Sequence, residues 1–401
     1  MKIGIWINSD YNPQEGGGFS YYERLVRAID AFTFNPDVEV CFVTFSKKEL
    51  PVKKEIIHLN QTVRKTFLER VKCHIPFVGW HYSELASKRV NAQKCDNIRR
   101  QLTENDVKLL FYPTAGRVVP NFPFITTNWD IGHLSTFAFP EVSMDGQFEQ
   151  RNHYYTTVLP QALLVFCESE AGRQELLKFT NIKDDKLRVV PIFAGGCIDV
   201  VVSMDEQQKL LNIYGLKPRK YFFYPAQFWA HKNHYTLLTA FAEFVKKHND
   251  YKLVLTGSDK GNLSYIIQLI NDYNLNQFVV FPGFVSQETI YTFYKNATAL
   301  IMASYFGPTN MPPLEAMALD CPVICTNLAG HKEQLEDAAL YFDAQKPETL
   351  LPLLEKINDN YDIYRNKIHE QQKKSVFNIS EAVNRINQYF AEAVNIRKTW
   401  K

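Results

Sequence analysis

"TALIMASYFGPTNMPPLEAMALDCPVICT", residues 298–326, holds the pattern from which the fold is read. Its two apolar runs, TALIMAS and CPVICT, are too short for helices and are bounded by turn formers, so both read as buried strands. Between them a loop with Gly307 and Pro308 leads into a small-residue helix that opens on Met311, Pro312 and Pro313. Prolines cost a helix little in its first turn, where the N–H groups lack intrahelical partners. Strand, crossover helix and strand make a parallel βαβ unit. The single carboxylate, Glu315, enters one turn into that helix.

The same alternation runs through the chain. Strands are expected at KIGIWI, VEVCFVTF, VKLLFYP, PFITTN, LLVFC and LRVVP in the first half, and at KYFFYPA, YKLVLTG, FVVFPG, TALIMAS, CPVICT and ALYF in the second. Helices are expected after residue 18 and after Ser169. The chain is therefore α/β, and at 401 residues it is long enough for two domains. The stretch near 192–219 contains Gly195, Gly196 and Pro218 and reads as the boundary. We take residues 1–200 as a first Rossmann-like domain, 201–384 as a second, and 385–401 as a terminal helix packing back on the first. Ligands of open parallel sheets sit at the carboxyl ends of the strands.

Lys and Arg number 45 against 43 Asp and Glu, a balance that gives no reason to expect nucleic acid as a partner. No apolar run reaches the roughly 18 residues of a membrane span, and the N-terminal apolar stretch is short for a signal peptide. The expected location is cytoplasmic. The seven cysteines are scattered and read as reduced, buried thiols.

Four strand-end loops carry candidate chemistry. Gly16, Gly17 and Gly18 stand before the first helix, where exposed amides and the helix N-terminus suit a phosphate, although the G-x-G-x-x-G spacing is absent. His133 sits beside Asp130 in DIGH, with structural and substrate-contacting roles both open. Lys232 lies near a helix start, where a cation is unwelcome unless an anion offsets it. In the loop quoted first, residues 307–311 offer amides to a ligand. There Glu315 either favours the helix dipole or accepts hydrogen bonds from vicinal hydroxyls.

Taken in order, the glycine loop, DIGH (130–133), ESEAGRQEL (168–176), HKNH (231–234) and GPTNMPPLEAMALDCPVI (307–324) resemble the retaining glycosyltransferases of family 4. That resemblance covers most of the chain. It implies the GT-B fold, two Rossmann-like doubly wound parallel-sheet domains facing across a cleft. It also implies a nucleotide-diphosphate sugar as donor and a glycan or lipid-linked saccharide as acceptor, in surface polysaccharide assembly. The sugar would be a hexose or deoxyhexose, with mannose the first guess. By position, Gly17 and Gly18 would approach the donor phosphates and His133 the transferred sugar. Lys232 would neutralise the diphosphate, amides of Thr309, Asn310 and Met311 would hold sugar or phosphate, and Glu315 would bind the ribose. His133, Lys232 and Glu315 are the residues assigned to catalysis.

Two departures stand out. The family's E-x7-E pair lacks its first glutamate, whose place, allowing for an extra PTN, falls nearest Ser304. The usual arginine partner of the phosphate lysine falls at Gln227, leaving one fewer positive charge. No D-x-D follows a strand, so neither metal nor other cofactor is expected. A sugar-nucleotide epimerase of the same fold, a phosphorylase and a non-catalytic nucleotide-sugar-binding module are the competing readings. Residues 47–94 interleave basic side chains with Phe67, Leu68, Phe77 and Trp80, a pattern that fits either peripheral contact with an anionic membrane at its inner face or a solvated face.

Overall fold

The computed structural model describes residues 1–8, 17–48, 51–64, 66–72 and 79–399. The first sheet contains β1 (Lys2–Trp6), β2 (Glu39–Thr44), β3 (Ile56–His58), β4 (Val107–Tyr112), β5 (Phe124–Asn128), β6 (Leu164–Cys167) and β7 (Leu187–Val189). Its seven strands run in the order β3-β2-β1-β4-β5-β6-β7. The second contains β8 (Tyr221–Pro225), β9 (Lys252–Thr256), β10 (Val279–Gly283), β11 (Ala299–Met302), β12 (Val323–Thr326) and β13 (Leu340–Phe342), in the order β10-β9-β8-β11-β12-β13. Every strand pairing is parallel. Helices cover both faces, so central strands such as β6 and β12 are buried along their whole length and read as continuous apolar runs.

Each sheet starts in its middle and winds outward both ways. Strand order therefore reverses between β1 and β4 in one sheet and between β8 and β11 in the other. A crevice opens at such a switch point, beyond the carboxyl ends of the strands. The loops after β1, β8 and β11 are the ones that carry the glycines, Lys232 and residues 303–310. β3 was not foreseen: three residues at the sheet edge are too few for periodicity to register.

Between the sheets the chain passes through a 3-10 turn at Gly196–Asp199 and a helix at Met204–Ile213. Ser203 and Glu206 form a capping box that starts this helix. Its Gln207 accepts from Asn296 Nδ2 at 2.9 Å, so the helix already belongs to the second sheet's layer.

The final helix, Ile379–Arg397, lies on the first sheet's side. Phe390 packs against Phe34 and Phe111, Tyr389 packs against Phe166, and Arg188 pairs with Glu392. The preceding helix, Tyr361–Lys374, stays with the second sheet, where His369 pairs with Asp320 at 2.8 Å. Six cysteines among the described residues are free thiols, five of them buried.

Candidate functional site

A cleft of about 850 Å³ opens where the two sheets present their carboxyl ends to each other. Gly17, Gly18, Trp129, Asp130 and Glu168 line it from the first sheet's side, and Gln227, Lys232, Thr309, Asn310, Met311 and Glu315 from the second's. Gly16 lies outside the described residues. Gly17 is the first residue of the helix Gly17–Ala31, and a Cβ there would lie 3.5 Å from Met311 Sδ. Met311 in turn begins the helix Met311–Ala318. Two helix N-termini thus meet across the cleft, and both favour an anion between them.

Lys232 ends a 3-10 turn, Ala230–Lys232, and Tyr224 Oη–H donates to its carbonyl at 2.6 Å. Asn233 follows at φ 55° and caps the helix His234–Phe244 through its side chain, which accepts from Thr236 N. The lysine is thereby turned into the cleft. Its Nζ donates to Asn310 Oδ1 at 3.2 Å and reaches Ser304 Oγ at 3.5 Å. Among the described residues no carboxylate lies within ion-pair distance of it. Burial pulls its pKa down to about 8, against the weaker opposing pull of Asp130 and Glu141. Gln227, which stands where an arginine was looked for, accepts from Trp229 Nε1 at 3.1 Å.

The loop ahead of Met311 is clamped from behind. A Cβ on Gly330 would fall 1.3 Å from the Pro308 carbonyl oxygen, so only glycine lets that helix lie under the loop. Thr309 Oγ1–H donates to Glu168 Oε1 at 2.9 Å, a contact between the two domains. Burial raises the Glu168 pKa well above the carboxylate range. Gly307 has φ +103° and lines the cleft, eight residues before Glu315. Ser304 is fully buried and donates to Phe306 O at 2.8 Å. Ser304, nearest the place of the missing first glutamate, thus stands behind Lys232, and the loop turns toward the cleft only at Gly307.

Glu315 is only partly buried, and both of its oxygens have protein partners. Oε1 accepts from Gly195 N at 3.1 Å and Oε2 from Tyr294 Oη at 2.7 Å, while burial raises its pKa. Each oxygen keeps a second lone pair for a ligand hydroxyl.

His133 stands apart from this group. It is fully buried, packs on Tyr155 and Phe148, and is not among the cleft-lining residues. Asp130 does line the cleft, but its carboxylate is taken by Arg151 and by Gly132 N–H at 2.8 Å. Arg151 Nε–H donates to His133 Nδ1 at 3.4 Å, which puts the ring's proton on Nε2, and Nε2 has no partner among the described residues. Burial holds this imidazole at about 4, neutral at physiological pH.

Three contacts across the cleft were not anticipated. Glu141 accepts from His231 N at 2.9 Å and pairs with its ring, which stacks on Phe306 at 4.2 Å. Glu333 accepts from Glu170 N and Ala171 N, each at 2.8 Å, and so caps a helix of the other domain. The third is Glu168 with Thr309. Glu168 had a legible signal, a carboxylate ending an apolar strand, but Glu141 and Glu333 lie in polar helical sequence that marks nothing. Among the described residues no cluster of three or more His, Cys, Asp or Glu side chains converges as a metal site.

Residues 206–375 match the family model described as Glycosyl transferases group 1. Among curated relatives, an uncharacterized glycosyltransferase of Methanocaldococcus jannaschii is 25% identical over 220 residues, 53% of this chain and 55% of that one. O-antigen chain mannosyltransferase B of Escherichia coli is 26% identical over 220 residues, 55% of this chain and 57% of that one. The chain thus spans about half the length of these relatives. Sucrose-phosphate synthase of Thermosynechococcus elongatus superposes with a TM-score of 0.72 at 17% identity, covering 98% of this chain and 99% of that one. Anabaena HepE, solved with UDP and glucose, gives 0.68 at 15% identity with the same coverage. At these identities the likeness is one of fold.

Gly330→Ala is expected to cost about 3 kcal/mol or more, because the methyl group meets backbone that no rotamer change relieves. Thermal unfolding should show a lowered midpoint, and an unchanged midpoint would mean that the loop does not rest on this helix.

Proposed function

The chain belongs to the glycosyl transferases group 1 and has the GT-B fold, and from that premise we propose that it is a retaining hexosyltransferase using a nucleotide-diphosphate sugar. The observation that carries the reading is Lys232, a half-buried lysine on the cleft wall with no carboxylate in ion-pair reach among the described residues. Breaking the bond between the anomeric carbon and the phosphate oxygen loads negative charge onto the leaving diphosphate. Lys232 and the two facing helix N-termini lie where that charge develops. Glu315 holds the ribose with its remaining lone pairs. The amides of Thr309, Asn310 and Met311 and the glycines at 17 and 18 hold phosphate and sugar. His133 Nε2–H is an unsatisfied donor among the described residues, but it is buried behind Asp130 and off the cleft wall, so a contact with the transferred sugar requires the 130–133 loop to move.

The acceptor lies against the first domain. Its hydroxyl oxygen attacks the anomeric carbon from the face the diphosphate leaves, and its proton passes to a phosphate oxygen, so configuration is retained. Hexose transfer, with GDP-mannose tried first, is supported by two relatives named as O-antigen mannosyltransferases. Assembly of a surface polysaccharide on a glycan or lipid-linked acceptor is part of the same reading. No helix among the described residues is long and apolar enough to cross a membrane. Phe67, Leu68 and Trp80 are nonetheless 78%, 69% and 69% exposed, close to Arg70 and Lys72. They form a surface suited to the anionic inner face of a bilayer. Phe77 lies outside the described residues.

The first test is a thermal-shift panel of UDP, GDP, dTDP and ADP, in which one nucleotide should raise the midpoint. Bound diphosphate stabilises the Lys232 ammonium and returns its pKa toward the ordinary lysine range. Affinity should therefore be full below pH 8 and fall above it by up to about tenfold per pH unit. Lys232→Met should weaken binding roughly ten- to hundredfold, the loss of about 1.5–3 kcal/mol of charge-assisted hydrogen bonding, and flatten the pH profile. Unchanged affinity in that variant sinks the reading. Proton NMR of the first product formed from an α-configured donor should show an α-linkage, and a β-linkage excludes the same-face mechanism. Vesicles containing phosphatidylglycerol should sediment the protein at low salt and release it at high salt. Failure to sediment removes the membrane contact.

A further inference from the structure

His331 sits in the helix Ala329–Leu335, fully buried behind the cleft wall, and the chemistry proposed for Lys232 makes no use of it. Its ring is nevertheless tied to that lysine through one intermediate. His331 Nδ1 lies 2.9 Å from the Thr326 carbonyl oxygen, and Asn310 Nδ2 lies 2.9 Å from His331 Nε2. Asn310 Oδ1 lies 3.2 Å from Lys232 Nζ.

Each link has one solution. A carbonyl only accepts, and the Thr326 hydroxyl 3.3 Å from Nδ1 gives its proton to Ser304 O, so His331 Nδ1 carries the proton. The ring is neutral, since burial holds its pKa at about 4, and Nε2 is therefore bare and only accepts. The atom of Asn310 facing it must be the NH₂ group, which turns the amide oxygen toward Lys232, whose ammonium only donates. The circuit closes on the far side, where Thr326 Oγ1–H donates to Ser304 O at 2.9 Å and Ser304 Oγ stands 3.5 Å from Lys232 Nζ. Gln334, one turn along the same helix, holds the Asn310 carbonyl through its Nε2 at 2.9 Å. The amide is left with its flip as its main freedom.

We infer that His331 is a positioning residue for the diphosphate-binding lysine: its Nδ1–H tautomer fixes the Asn310 amide so that an acceptor oxygen, not an NH₂ group, faces Lys232. The inference rests on the proposed role of Lys232. With the amide reversed, an N–H donor would confront the ammonium, disfavour its charge and compete with it for the ligand's phosphate oxygens.

The decisive measurement is the pH dependence of binding for whichever of UDP, GDP, dTDP and ADP stabilises the protein most. In His331→Leu the pH at which affinity begins to fall should drop by on the order of one unit. Affinity is then about tenfold weaker than wild type at pH 9 and unchanged at pH 6. Damage to packing alone would weaken binding equally at both. His331→Gln, whose amide can donate to Thr326 and accept from Asn310, should restore the wild-type profile. If Lys232→Met flattens the profile while His331→Leu leaves it at wild type, the positioning role is overturned and the lysine's role stands. If Lys232→Met itself binds like wild type, both fall. Should His331→Leu not fold, ¹⁵N spectra of histidine-labelled wild type decide, with His331→Gln identifying the ring signals. A protonated Nδ1 and bare Nε2 from pH 6 to 9 support the inference. An Nε2-protonated ring or an imidazolium at pH 7 overturns it.

Discussion

An ammonium group taken out of water is costly unless something pairs with it, and Lys232 is held at the cleft with two neutral oxygen acceptors in place of a carboxylate. Much of the second domain serves this one placement. The left-handed Asn233 and the Tyr224 hydroxyl fix its backbone. The loop from β11 supplies its acceptors, and the helix at Ala329–Leu335 holds that loop in turn. A carboxylate in ion-pair contact would stabilise the empty protein and compete with any phosphate. Neutral acceptors keep the lysine oriented and leave its charge uncompensated.

The two domains meet through carboxylates of unlike character. Glu168, buried and pushed toward its protonated form, accepts from Thr309, while Glu333 accepts two backbone N–H groups at the start of a helix where negative charge is favoured. Glu141 holds His231, immediately before Lys232, so the placement of Lys232 is coupled to the position of the first domain. Cleft-facing loops and interdomain contacts therefore share residues 304–310 and 231–232.

The strands of both sheets were legible except β3, because helices on both faces turn each strand into a continuous apolar run that stands out in any window. The strand-end loops stood out as well: glycines before a helix and a lysine at a helix start go against local preference, and the prolines mark the first turn of a helix. Ser304 and His133 show the limit. Counting along the chain put Ser304 nearest the missing first glutamate, but the turn at Gly307 that leaves it behind the lysine could not be counted. His133 looked accessible as a loop residue beside a carboxylate, until Arg151, eighteen residues on, took that carboxylate and covered the ring.

Apolar periodicity thus implied the order of elements, the parallel sheets and the strand-end loops that face the cleft, since burial of one residue type at a fixed period is a local property of the chain. Hydrogen-bond partners are not local. That Gly330 lies against the Pro308 carbonyl, that Glu333 caps a helix of the other domain and that His331 sets the amide facing Lys232 depend on segments 21 to 163 residues apart being brought into contact. Such contacts follow from how whole helices and sheets pack, and no window of sequence contains that information.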